Sequence, residues 1–276
     1  PGTVIANSCP RIATGDGPRL RRLDSPTAYG LYLSAEGAHA QSKRLETIAN
    51  NMANVDTVGF KRQLAVFQAR YAEAITEGRT LPGQGSIDDL GGGVMVRETR
   101  TDLTQGSIRN THTATDMALQ GDGFFKVRKG EEDFLTRAGN FRLTPRGELV
   151  TQQGYAVLDS SDTPVVLDRP GRPFQVTPRG EIQQGNDSRP LAIVNLPAER
   201  LEPTAENLFR PLGEPEVLED AQRNVLSGCL ETSGVVPTSE MVEMIETQRM
   251  IEANLNMMQT QDQMLGGLLS RLLRVS

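Results

Sequence analysis

Apolar positions recur with helical spacing at the two ends of the chain and lose that spacing between them. Toward the start, Leu31, Ala35, Ala38, Leu45, Ala49 and Met52 fall on alternating steps of three and four residues. Ser42 fills the gap, and Ile48 and Val55 widen the stripe. The spacing predicts a helix over about 31–52 with a heptad-like seam. The seam is Ala-rich and Leu-poor, so the helix packs closely but is weak alone. Toward the end, Met241, Met244, Gln248, Ile251, Leu255, Met258, Asp262, Leu265, Leu269 and Leu272 repeat the alternation, with Gln248 and Asp262 as polar exceptions. Pro237-Thr238-Ser239-Glu240 reads as a helix start. Glu240, Glu243 and Glu246 near that start, with Arg271 and Arg274 near the end, suit the helix dipole. Gly266-Gly267 predicts a kink or fraying close to the end.

The middle has another texture. A glycine-rich stretch over 78–93 predicts a linker or exposed loop. From about Val94 to Leu196, short β-type runs alternate with Gly, Pro and Asn: Phe124 to Val127, Leu149-Val150, Tyr155 to Leu158, Val165 to Leu167 and Ala192 to Val194. Thr144-Pro145-Arg146-Gly147-Glu148-Leu149 recurs as Thr177-Pro178-Arg179-Gly180-Glu181-Ile182, and each copy suits a tight turn that closes a hairpin. Residues 197–225 are Pro- and Glu-rich and read as a surface return toward the second helix.

The pattern predicts an α+β fold: an all-β central domain inserted between N- and C-terminal helices that pair as a coiled coil. Its expected divisions are a disordered extension over 1–28, the helix and turn of an assembly domain over 29–66, and a linker over 67–93. A β-rich domain over 94–225 and the C-terminal helix of the assembly domain over 226–276 complete it. A long helix with an apolar stripe at each end of a chain needs a partner for that stripe, so assembly is the expected use. The expected interface is Leu31, Ala35, Ala38, Leu45, Ile48 and Met52 on the first helix. On the second it is Met241, Met244, Ile251, Leu255, Met258, Leu265 and Leu269.

Composition narrows the function class. Of 276 residues, 37% are apolar and 4% aromatic, with no Trp, which supports a modest core. A net charge of −6 argues against a nucleic-acid partner, since phosphate binding needs a basic face. Cys9 and Cys229 are far apart and outside any metal-ligand spacing. Residues 1–28 lack the apolar run of a secretory signal, and no apolar run is long enough to span a membrane. His39 and His112 read as surface residues. Gly121-Asp122-Gly123 precedes a β run and lacks the Lys and Ser/Thr of a phosphate loop. Neither catalytic nor cofactor nor metal site is expected. Methionine on the last helix reads as adaptable seam packing.

Ala49-Asn50-Asn51-Met52-Ala53-Asn54-Val55-Asp56-Thr57-Val58-Gly59-Phe60-Lys61-Arg62 resembles the N-terminal signature of flagellar rod and hook proteins. Physically, Asn54 suits a left-handed helix end, Gly59 a second positive φ, and Phe60 an anchor for the turn. Asp116 through Val127, which includes Gly121, Gly123 and Phe124, followed by Thr136-Arg137-Ala138-Gly139-Asn140-Phe141, resembles that family's central β domain. Gly228-Cys229-Leu230-Glu231-Thr232-Ser233 and Glu240 through Arg249 resemble its last helix. The pattern looks closest to the proximal- and distal-rod subunits. Two departures stand out: residues 1–28 precede the usual start, and Ser233-Gly234-Val235 replaces the usual Ser-Asn-Val. The resemblance implies a subunit exported by the flagellar type III apparatus without a cleaved signal peptide. It would assemble with itself and other rod or hook subunits into the periplasmic rod, whose partners exclude small-molecule substrates. A hook-type axial protein, or a secreted coiled-coil binding module, is the alternative.

Overall fold

A computed structural model describes residues 26–69, 71, 91, 93–167, 173–218 and 223–273. Helix α1 spans Pro26–Ala53 and helix α2 spans Pro237–Leu273. Both begin at proline, whose missing amide proton would be unpaired at a helix start in any case. Helix α1 therefore takes in the last residues of the expected extension, while 1–25 lie outside the described residues. Helix α2 continues through Gly266 and Gly267, the place of the expected kink or fraying, and does not fray there. Two glycines cost about 1 kcal/mol each, too little to interrupt a helix of 37 residues.

The helices lie side by side and antiparallel. Gly30 faces the Gln261 amide, Gly37 faces the Asn254 amide, and Asn51 hydrogen bonds Glu240. Next along the chain, β1 (Gln63–Ala69) and β2 (Val94–Thr101) form an antiparallel ribbon from Gln63↔Thr101 to Ala69↔Val94, with a bulge between Val66 and Phe67. The ribbon packs along α1, where Gly93 approaches Leu33 and Glu36. It absorbs residues the sequence pattern assigned to the linker at 67–69 and to the β domain at 94–101.

Strands β3 (Ile108–Asn110) and β4 (Met117–Leu119) lead into the β domain. There β5 (Phe124–Lys129) and β6 (Glu132–Thr136) form its central hairpin. Strands β7 (Arg142–Leu143), β8 (Leu149–Val150) and β9 (Ala156–Val157) extend the sheet on one side of β5. A separate three-stranded sheet holds β10 (Gln175–Val176), β11 (Glu181–Gln184) and β12 (Asp187–Pro190). Strand β13 (Ile193–Asn195) returns to β5, and β14 (Leu201–Thr204) and β15 (Leu208–Pro211) add a hairpin beside β6. Strand β16 (Glu216–Val217) pairs with β13. The last strands, β17 (Val225–Ser227) and β18 (Cys229–Glu231), come back to β4 and β3 before α2 begins.

Successive residues of a strand point to opposite faces, and β5 uses this to serve two cores. Phe125 packs edge-on against Phe141 in one cluster with Val127, Leu149 and Ile193; Phe124 packs edge-on against Phe209 in the other with Leu135 and Leu201. The segment read as a surface return thus supplies buried Leu201, Leu208 and Phe209. The two Thr-Pro-Arg-Gly-Glu copies close hairpins, as their sequence predicts. In each, the glycine amide bonds the threonine carbonyl, and the threonine hydroxyl accepts the glutamate amide. Gly147 and Gly180 supply φ values of 84° and 79°.

Candidate functional site

The face of α1 turned to α2 carries Gly30, Gly37, Arg44 and Asn51. This face lies about one residue step back from the stripe the apolar pattern picks out. Ile48 is buried, whereas Leu31, Ala35, Ala38, Leu45 and Met52 are only half-buried and flank the pair. On α2, Met244, Ile251, Met258 and Leu265 are half-buried, while Met241, Leu255 and Leu269 remain 53%, 45% and 59% exposed. A second exposed column, Met250, Met257 and Met264, runs along the helix at intervals of seven residues. The line of α2 nearest α1 is polar: Glu240 and Thr247 are fully buried, followed by Asn254 and Gln261. The pair is therefore closed by small and polar groups, and much of its apolar surface faces outward.

Below the pair, the signature residues build a joint. Asn51 lies buried at its centre: its amide nitrogen donates to the Gln63 carbonyl at 2.8 Å and to Glu240 at 3.3 Å, and its oxygen accepts the Gln63 amide at 2.9 Å. Asn50 donates to the Gln63 side chain. Asn54 is not in the left-handed region expected of it, since the described non-glycine residues with positive φ are His112, Asp162, Glu206 and Asn207. It ends the helix through side-chain bonds instead, donating to the Asn50 carbonyl and accepting the Thr57 hydroxyl. Gly59 does take φ 66°, and a Cβ there would stand 2.5 Å from the Arg137 carbonyl carbon. Its amide bonds the Glu231 carbonyl at 2.8 Å, and buried Phe60 bonds the Gly234 amide through its own carbonyl.

Two charged groups complete the joint. Arg62 reaches α2, pairing with Glu240 at 2.5 Å and Glu243 at 2.7 Å; Arg44 meets Glu243 from α1 at 3.4 Å. Burial opposes the Arg62 charge, but the two carboxylates outweigh it and raise its pKa. Deeper in, Lys61 and Glu231 pair at 2.6 Å with both side chains essentially inaccessible, and Arg137 approaches the same carboxylate at 3.4 Å. Burial pulls Lys61 and Arg137 below their usual ranges, with Glu231 pulling in the opposite direction. Arg137 also donates to the Gly121 carbonyl at 2.6 Å and lies over the Phe124 ring. Gly123 follows with φ 125° against Ile193 and Leu218. Desolvating such a cluster offsets most of its attraction, yet removing one partner costs about 3–5 kcal/mol.

The motif strings single out Asn50, Asn51, Asn54, Gly59, Phe60, Gly121, Gly123 and Phe124, and the structure adds Lys61, Arg62, Arg137, Glu231 and Glu240 to the site. Each stands within a quoted motif string, and that position was the available signal. Its place near the helix start suits Glu240 to the helix dipole, whereas it is the fully buried acceptor for Arg62 and Asn51. His39 and His112 are exposed, and Cys229 is a free thiol. Cys9 lies outside the described residues. Among the described residues no group of His, Cys, Asp and Glu is placed to hold a metal ion.

Three family descriptions match in chain order: flagella basal body rod protein over 31–61, flagellar hook protein FlgE/F/G D1 domain over 118–184, and flagellar basal body rod FlgEFG protein C-terminal over 226–271. The flagellar basal-body rod protein FlgG of Borreliella burgdorferi is 30% identical over 258 residues, covering 86% of this chain and 96% of that one. FlgG of Buchnera aphidicola subsp. Schizaphis graminum is 33% identical over 254 residues, covering 85% and 96%. FlgF of Caulobacter vibrioides is 32% identical over 233 residues, covering 83% and 91%. With likeness running through both helices, the joint and the β domain of nearly whole relatives, this chain belongs to the flagellar basal-body rod protein family and is a structural rod subunit, not an enzyme.

Proposed function

We propose that copies of this chain polymerise helically into the proximal or distal rod, using the outward apolar columns of α1 and α2, with the helix pair acting as a coiled coil. Other rod and hook subunits are its axial neighbours, and the finished axle transmits torque for motility. The chain reaches the periplasmic rod through the flagellar type III export apparatus. One observation carries this reading. Helix α2 exposes Met241, Met250, Leu255, Met257, Met264 and Leu269 on both flanks of its contact with α1. Fully covering a side chain of this size contributes about 1.5–3 kcal/mol, and contiguous exposed apolar surface marks an interaction site.

Leu255→Asp tests it. Leu255 is 45% exposed in the single chain, so the aspartate is solvated before assembly and buried only between copies. The variant is expected to keep the circular dichroism of the parent and to be absent from isolated basal bodies. Glu252→Gln, on an exposed neighbouring position, serves as the control and should assemble normally. Rods of normal composition built from Leu255→Asp would remove these columns from the assembly surface.

A further inference from the structure

Three distant parts of the chain converge on one carboxylate. Glu231 accepts from Lys61 Nζ at 2.6 Å, from the Gly106 amide at 3.0 Å and from Arg137 at 3.4 Å. Lys61 has a further acceptor in the Thr104 carbonyl, and Arg137 has the carbonyls of Leu119 and Gly121. Arg137 Nε, also buried, has no acceptor. Asp102 and Asp122 add weaker attraction to Lys61 and Arg137 respectively. Without Glu231, two buried cations would face each other across the space it fills.

Ahead of β1, the joint residues of the N-terminal segment are held largely by residues from the other end of the chain. Gly59 bonds the Glu231 carbonyl, Phe60 accepts the Gly234 amide, Arg62 pairs with Glu240 and Glu243, and Asn51 donates to Glu240. Its bonds to the middle of the chain are the β1–β2 ladder, which the Asp102 amide on the Arg62 carbonyl extends, the Lys61–Thr104 bond, and Asn207 on the Val58 carbonyl. Seating Lys61 on the β domain before the C-terminal segment arrives would place its ammonium beside Arg137 in a dehydrated site with no shared counterion. A buried, unpaired charge is among the costliest defects a protein interior can hold.

We propose that Glu231 makes docking of residues 59–62 onto the β domain conditional on the C-terminal segment, so that the two ends of the chain lock in a single step. The device operates within one copy and is independent of how copies pack.

Hydrogen exchange on the full chain tests it, because four amides report separately. The Gly59 amide, bonded to the Glu231 carbonyl, reports docking of residues 59–62; the Thr232 amide, bonded to the Ser107 carbonyl, reports the C-terminal segment; Lys126 and Leu158 report the β domain. During refolding, Thr232 should gain protection before or together with Gly59. In folded Glu231→Leu, Gly59 should exchange faster by on the order of a hundredfold while Lys126 and Leu158 keep their rates. Adding Lys61→Met removes one stranded cation and should bring Gly59 back to within about tenfold of the parent. Glu231→Gln, which keeps an acceptor but loses the charge, should give a smaller selective loss at Gly59. The proposal is overturned if Gly59 is protected before Thr232, if Glu231→Leu leaves Gly59 unchanged or exposes Lys126 and Leu158 equally, or if the double variant exchanges no more slowly than Glu231→Leu.

Discussion

Gly59→Ala measures how closely the joint is packed, and Gly130 supplies its control. The two glycines share nearly one backbone conformation, φ 66° and φ 65°. A Cβ at Gly130 meets no atom within 4 Å, whereas one at Gly59 stands 2.5 Å from the Arg137 carbonyl carbon and 2.7 Å from the Ala138 nitrogen. Left-handed alanine costs about 1–2 kcal/mol, and the lower entropy of its unfolded chain offsets about 0.4–1 kcal/mol of destabilisation in the opposite direction through the unfolded state. Gly130→Ala is therefore expected to destabilise by about 1 kcal/mol. At Gly59 the backbone of residues 137–138 must also move, and with it the Gly59–Glu231 bond and the Arg137 guanidinium, for a total of about 3–4 kcal/mol. Urea titration followed by far-ultraviolet circular dichroism, with a slope of roughly 2–3 kcal/mol per molar, turns that difference into midpoints separated by roughly 1 M. Equal shifts for the two variants would show that the loop yields to the new methyl group, and the close approach would lose its structural meaning.

Three further outcomes are expected. Asp159 is pushed up by its burial, but amides of Ser161 and Thr163 and the Thr163 hydroxyl outweigh this and hold it below the usual range. Its contribution is present above the unfolded value of about 3.9 and is lost as pH falls through the folded one. Asp159→Asn should thus flatten the acid limb of a stability–pH curve, and parallel curves would refute the assignment. Gln261 Oε1 is a buried acceptor with no donor, so Gln261→Met should leave stability in urea unchanged or raise it by up to about 1 kcal/mol; a clear loss would mean the amide is satisfied. Leu255→Asp should sediment as a folded single chain at concentrations where the parent associates, and association of the variant would count against the apolar columns.

What the sequence made legible was local. Both helices, the proline start of α2 and the paired Thr-Pro-Arg-Gly-Glu turns follow from chemistry within a few residues of one another. The helix face did not. A search for apolar alternation selects Leu31, Ala38, Leu45 and Met52, whereas α1 meets α2 through Gly30, Gly37, Arg44 and Asn51. Small and polar residues carry no hydrophobic signal, and here they line the contact. The ribbon was missed because β1 pairs with a strand beyond a long intervening segment, and residues 67–69 read as the start of a linker. Lys61, Arg137 and Glu231 were missed because charge is ordinarily solvated, and their burial becomes apparent only when three separate strings meet.

The helix contacts also fix a scale of movement. Gly30 and Gly37 stand opposite Gln261 and Asn254, so a slide of one helix by seven residues, about 10.5 Å at 1.5 Å per residue, would bring Gly30 opposite Asn254 and restore a similar fit. The two glycine steps thus act as a rack that sets the interval of seven residues but not, by itself, the register. What indexes the rack is its end, where Asn51 and Arg62 grip Glu240. That end is gripped more than once, since the Gly59–Glu231 and Phe60–Gly234 bonds stand beside it, so the two ends of the chain keep one notch through the whole joint rather than through any single pair.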